Sequence, residues 1–253
     1  MFADGSSASV EVMSRNSCEV ITPRTVTCCG MPPLGYGDMG TVKKMARQNI
    51  DVFHKLDIDV IVTDCATCGS TLKDYAEILG DDPLYAEPAK AFVEKVRDIS
   101  EFLMEIPLEP PQARLPVKVT YHDPCHLVRG QNISRQPREI LEMIPGLEFV
   151  EMKEADWCCG SAGTQIITHY HNSMALLERK IQNVADTGAE VVTSGCPGCQ
   201  LQLGLGAKRK DLHVRVAHPV QLLAEAYRNE GKPEYSLDSE EEMEQAEEVL
   251  IVG

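Results

Sequence analysis

Nine of the ten cysteines in this 253-residue chain fall into a spaced, repeated set. Cys28-Cys29-Gly30 is followed by Cys65-Ala66-Thr67-Cys68, and the second half returns to the plan with Cys125, Cys158-Cys159-Gly160 and Cys196-Pro197-Gly198-Cys199. Between Cys29 and Cys65 lie 35 residues, and between Cys159 and Cys196 lie 36. A buried structural cysteine needs no partner at a fixed distance, whereas a polynuclear metal centre needs several thiolates facing one small volume. The spacing therefore points to metal chemistry, with iron-sulfur clusters first. Adjacent cysteines diverge in a regular helix or strand, but a loop with Gly30 or Gly160 can turn both toward a common centre. The CxxC pairs supply a two-thiolate bite from the other side.

Other chemistries compete for the same residues. Paired CxxC thiolates also make tetrahedral zinc sites, yet the five thiols of the second half exceed what one zinc needs. A disulfide scaffold suits small secreted domains rather than a chain of this size with no secretory start. Cys18 stands outside the repeat and reads as a small apolar residue in a strand. His122 and His126 flank Cys125 and can donate to cluster sulfur, move a proton, or satisfy loop carbonyls. His169, His171 and His218 read as packing or surface residues. Trp157, next to Cys158, reads either as a shield against water or as a plain core contact. Gly35, Gly37 and Gly40 have GxGxxG spacing, but no buried strand immediately precedes them, so they do not read as a nucleotide cradle.

The elements that must position the thiols repeat as well. In the first half a helix around Val10–Asn16, a strand at Glu19–Ile21 and a loop lead to Cys28. In the second, a helix at Arg138–Ile144 and a strand at Leu147–Glu151 lead to Cys158. Each triplet precedes a long helical stretch, 41–56 or 172–187, and then a β-branched run, 59–63 or 190–193, that ends at a CxxC pair. Short apolar runs alternating with periodic helices predict parallel sheets covered by helices. A single helix is expected over Glu87–Leu103. Pro107, Pro110, Pro111 and Pro116 then predict a boundary near 105–116, and Val117–Tyr121 is a strand that delivers Cys125. The expected fold is α/β with two tandem pseudo-repeated cysteine-rich domains, 1–106 and 117–231, each a small, mostly parallel sheet flanked by helices. Residues 232–253 form an acidic tail, with six glutamates between Ser239 and Glu248.

A net charge of -15 with no basic run argues against nucleic acid and anionic membranes as partners. No apolar stretch approaches the roughly 20 residues needed to span a bilayer. The expected setting is the reducing cytoplasm, with attachment to a membrane only through partners, and there the thiols serve as metal ligands.

Three segments carry a family resemblance: Tyr121-His122-Asp123-Pro124-Cys125-His126-Leu127, Ala155-Asp156-Trp157-Cys158-Cys159-Gly160 and Gly195-Cys196-Pro197-Gly198-Cys199. With the doubled CCG and CxxC, they resemble the CCG-domain family of cysteine-rich iron-sulfur proteins over nearly all the chain up to about Tyr227. That family includes the iron-sulfur subunits of glycolate oxidase and lactate-utilisation complexes and the cluster-bearing subunit of heterodisulfide reductase. The surrounding texture resembles the C-terminal part of the glycolate oxidase subunit.

The resemblance implies one 4Fe-4S cluster per half, in cubane or non-cubane form. Cys125, Cys158, Cys159, Cys196 and Cys199 match a complete five-thiolate set. The first half matches only in Cys28, Cys29, Cys65 and Cys68, because the counterpart of Cys125 would lie about 33 residues before Cys28, upstream of Met1. Cys18 is no substitute for it.

Also implied are a flavoprotein dehydrogenase partner and a ferredoxin-type domain or subunit outside this sequence. The expected activity is electron transfer from a flavin-linked oxidation of glycolate or lactate to a quinone or other carrier. The alternative is reduction of a disulfide at a non-cubane cluster, as in heterodisulfide reductase.

Overall fold

Short β-branched runs form strands here because helices cover them on both sides, and their side chains pack wherever they point. The computed structural model describes residues 3–232. Its first half runs α1 (Ala3–Arg15), α2 (Met31–Gly35), α3 (Met39–Phe53), β1 (Ile61–Thr63), α4 (Ala66–Lys73), α5 (Tyr75–Ile78), α6 (Ala86–Lys95), β2 (Val96–Asp98) and α7 (Ile99–Glu105). The second runs β3 (Lys118–Tyr121), α8 (Cys125–Val128), α9 (Gln136–Glu142), β4 (Glu148–Phe149), α10 (Gln165–Thr168), α11 (Tyr170–Thr187), β5 (Val191–Thr193), α12 (Pro197–Arg209), β6 (Arg215–Ala217) and α13 (Pro219–Arg228).

The fold is α/β, with β1 and β2 in one small parallel sheet and the order β4-β3-β5-β6 in the other, also parallel. Val119 lies opposite Val191, and Val192 opposite Val216. Every residue of β5 is sealed from solvent. The predicted acidic tail lies outside the described residues from position 233 on. Among the described residues, no helix is long and apolar enough to cross a membrane.

Two expected elements differ. The helix read over Glu87–Leu103 is broken into α6, β2 and α7. Val96, fully buried, pairs beside Ile61, and Asp98 then caps a new helix, so tertiary pairing overrides a locally helical pattern. The strand expected at Glu19–Ile21 does not form. Its counterpart β4 exists by pairing with β3, and among the described residues the first half has no strand standing where β3 stands.

The main core crosses the proline-rich segment. Ala8, Val12 and Met13 of α1, Ile99 and Leu103 of α7, Val119 and Tyr121 of β3, and Leu223 and Tyr227 of α13 belong to one apolar cluster. Residues 106–117 contain no helix or strand, but Leu115 and Val117 are buried in that cluster. Arg228 pairs with Glu11 at 2.7 Å and ties α13 to α1. A second cluster, with Val42, Ile50, Tyr75, Leu79 and Phe92, sits under β1.

The last strands of the two sheets end alike. Asp98 at the end of β2 and His218 just after β6 each close a capping box, with Glu101 and Gln221 respectively. His218 thus has a structural role. Asp98 is completely buried, one carboxylate oxygen has no partner, and burial pushes its pKa up to about 6.

The folded carboxyl therefore keeps its proton up to about pH 6, whereas the unfolded one releases it near 4. Folding takes up a proton in that window, and this residue's contribution to stability falls as pH rises through it. Asp98→Asn, which keeps a capping side chain, should gain stability relative to the parent as pH rises from about 4 to 6; parallel urea titrations across that range check the sign. Leu103→Ala should cost about 2–5 kcal/mol. Because the core is shared, the midpoint followed by fluorescence of Trp157, the only tryptophan and in the other half, should fall with it.

Candidate metal centre

Both CxxC pairs are built the same way. β1 delivers Cys65 to the N-cap of α4, and β5 delivers Cys196 to the N-cap of α12. The Cys68 amide donates to the Cys65 sulfur at 3.4 Å. Unpaired amides and the positive end of a helix dipole favour thiolate over thiol at such positions.

Both CCG triplets turn as the sequence predicts, with Gly30 at φ 97° and Gly160 at φ 92°. The Gly160 amide donates to the Cys158 sulfur at 3.3 Å, and its carbonyl accepts from Ser173 Oγ at 2.7 Å. In the first half the carbonyls of Cys28 and Cys29 accept from Asn49 Nδ2 at 3.3 Å and Tyr75 Oη at 2.8 Å. Asn49, Tyr75 and Ser173 are buried supports that sequence reasoning did not single out. Their only signal is a polar residue on the inward face of a helix following, or close behind, each triplet.

The two sets of thiols, expected in two separate pockets, lie side by side. The Ala66 amide donates to the Gly195 carbonyl at 2.8 Å, and the Ala66 carbonyl accepts from Gln131 Nε2 at 2.9 Å. Thr67 Oγ1 lies 3.4 Å from the Cys196 sulfur and 3.4 Å from His126 Nδ1, which is 3.6 Å from the Cys125 sulfur. Each of these contacts except the last crosses from one half to the other.

The sulfurs form a continuous run in which Cys29 adjoins Cys68, Cys68 adjoins Cys65, and Cys65 adjoins Cys196. From there Cys196 adjoins Cys199, Cys199 adjoins Cys159, and Cys159 adjoins Cys158. Neighbouring S–H groups donate to Cys68, Cys159 and Cys196 and pull their pKa values down, Cys68 to about 4. The donating thiols Cys29, Cys65, Cys158 and Cys199 are pushed up. Burial also raises Cys125, which stands near Cys196 and Cys159.

Cys29, Cys159, Cys196 and Cys199 are buried, whereas Cys28 is exposed. Cys18 belongs elsewhere, packed against the main core with its S–H toward the Asn16 carbonyl at 3.7 Å.

Other groups hold the ends of the strands. Arg138 grips both carboxylate oxygens of Asp123, at 2.9 and 2.7 Å, and fixes the loop after β3. Lys180 is fully buried, donates to the Glu154 and Ala155 carbonyls, and is pulled below its ordinary pKa by burial. The sequence pattern concealed this lysine because it sits within the helical stretch that follows Cys158-Cys159-Gly160. Trp157 is neither shield nor core: it is 41% exposed, with Arg179 over its ring at 4.5 Å.

No described cysteine forms a disulfide, and soft sulfur donors gathered at helix N-termini are the donor set that iron-sulfur clusters and zinc require.

The cysteine-rich domain termed CCG matches residues 5–73 and again 119–204. The chain belongs to the CCG family. The probable glycolate oxidase iron-sulfur subunit of Bacillus subtilis is 39% identical over 89% of this CCG protein and 52% of its own length. An uncharacterized iron-sulfur protein of Methanococcus maripaludis is 38% identical over 78% of the chain and 37% of its own length. Lactate utilization protein A of Bacillus subtilis is 31% identical, with coverage of 85% and 90%. The chain thus spans about half or less of the first two relatives, and most of the third.

Gly160 is the least replaceable backbone position of the CCG protein's second triplet. A Cβ there would stand 2.4 Å from the Ser173 carbonyl oxygen, in a left-handed conformation that side chains rarely adopt. Gly160→Ala should lower stability by at least about 1–3 kcal/mol. It should also speed alkylation of Cys158 and Cys159, followed by mass spectrometry of modified peptides. Unchanged melting and labelling would contradict the role given to this turn.

Proposed function

We propose that this CCG protein is an iron-sulfur electron-transfer subunit of a flavin-linked 2-hydroxyacid dehydrogenase, with glycolate or lactate oxidised on a flavoprotein partner. The observation that carries the reading is the convergence of thiols from both repeats in one run, buried at Cys29, Cys159, Cys196 and Cys199, in a chain whose relatives bear the names just given. Cys125, Cys158, Cys159, Cys196 and Cys199 would hold one 4Fe-4S cluster, and Cys28, Cys29, Cys65 and Cys68 a second. An iron-sulfur cluster, when bound, exchanges electrons one at a time and so divides a two-electron flavin oxidation into single steps.

The protein's contribution is to prepare the donors. The α12 N-terminus favours thiolate at Cys196, while the turns at Gly30 and Gly160 place Cys29 and Cys159 in the interior. The Ala66 bonds to Gly195 and Gln131 hold the two sets against each other, which suits transfer from one to the other. Burial of Cys159, Cys196 and Cys199 limits water and oxygen at the inner sulfurs. Working on the cytoplasmic side, with a quinone or soluble carrier as acceptor and a ferredoxin-type domain in a partner, completes the proposal.

Anaerobic purification followed by iron and sulfide analysis should find about four of each per site. Cys159→Ser should empty the second site and remove about half of the iron of a fully loaded protein, read by the same assay. Zinc without sulfide, or full iron retained by the variant, would overturn the assignment.

A further inference from the structure

His122 lies one residue beyond β3, its amide held by the Thr193 carbonyl at 2.8 Å. The side chain is 1% exposed, neither ring nitrogen has an oxygen or nitrogen partner, and the imidazole faces the Cys159 sulfur, whose pKa it helps to lower. A buried imidazole whose only polar neighbours are thiol sulfurs is costly, so a stronger partner is expected on that side of the ring. A ring nitrogen of His122 and the sulfurs of Cys159 and Cys199 all lie within 4.8 Å of one another.

The surroundings leave few other partners. Asp123, the next residue, is committed to Arg138, and Lys180 is committed to the carbonyls of Glu154 and Ala155. His126 is placed differently, with Nδ1 against Thr67 Oγ1 and the Cys125 sulfur. Imidazole nitrogen beside thiolate sulfur is a donor combination suited to iron or zinc, and nitrogen ligation raises a cluster's potential relative to thiolate alone.

We propose that His122 is a metal ligand, donating one imidazole nitrogen to the ion that Cys159 and Cys199 bind. This rests on the iron-sulfur reading above and adds a nitrogen to a donor set otherwise composed of sulfur.

The test uses the whole chain, loaded anaerobically with iron and sulfide and labelled with 15N-histidine. Pulsed electron paramagnetic resonance in the paramagnetic oxidation state should show a strong nitrogen coupling that changes isotope with the label. It should vanish in His122→Ala and persist in His126→Ala. The His122→Ala protein should also have a lower reduction potential.

A loaded protein with full iron and sulfide but no strong nitrogen coupling would overturn the assignment while leaving the cluster reading intact. So would a coupling that survives in His122→Ala. Failure of the unsubstituted chain to take up iron and sulfide would overturn both. Because the labelling experiment is made on the unsubstituted protein, poor folding of a variant does not rescue the proposal.

Discussion

Thiolates crowded into a protein interior repel one another, and everything around the sulfur run answers that constraint. Each deprotonated cysteine is a buried negative charge that needs donors or cations close by. The chain supplies them with neighbouring thiols that donate to Cys68, Cys159 and Cys196, with the α12 N-terminus at Cys196, and with backbone amides that hold the adjoining sulfurs of Cys65 and Cys158. A lysine buried behind the second set adds a cation within the same shell of structure. The parallel sheets follow from this need, because only strand ends running the same way can deliver several loops and helix starts to one edge.

The junction between the repeats is equally constrained. Ala66 uses both its amide and its carbonyl on groups of the second half, although it sits between two proposed ligands of the first. Close approach there depends on small residues. A side chain at Gly130 would collide with Ser70 Oγ at 2.4 Å, and one at Gly69 would meet Gln131 at 2.9 Å. On the far side, α1 returns to pack on α13 and closes the main core across the proline-rich segment. The first half is therefore braced by the second at both ends.

Much of this was legible in the residues. The repeated cysteine spacing, the turn glycines and the β-branched runs before each CxxC pair are local signals, and the structure carries them as strands, left-handed turns and capped helices. Long-range pairing was less visible. Val96-Arg97-Asp98 looks helical until Ile61–Thr63 is placed beside it, and Glu19–Ile21 looks like a strand until its neighbour is sought. The adjacency of the two thiol sets was hidden for the same reason, since spacing within a repeat says nothing of how repeats dock. His122 stood out beside Cys125, but its place against Cys159 and Cys199 needed the fold, and Lys180 acquires meaning only from what surrounds it, as no spacing rule marks a lone buried lysine.

The contact of Cys65 with Cys196 has an electrical consequence. Two clusters held as proposed would share one low-dielectric volume, where charges only weakly screened by solvent act strongly on each other. An electron resting on one side would make the next harder to place on the other, so the pair would fill in two separated waves. A carrier of this kind would hold its first electron more firmly than its second, so its two reduction steps would fall at different potentials.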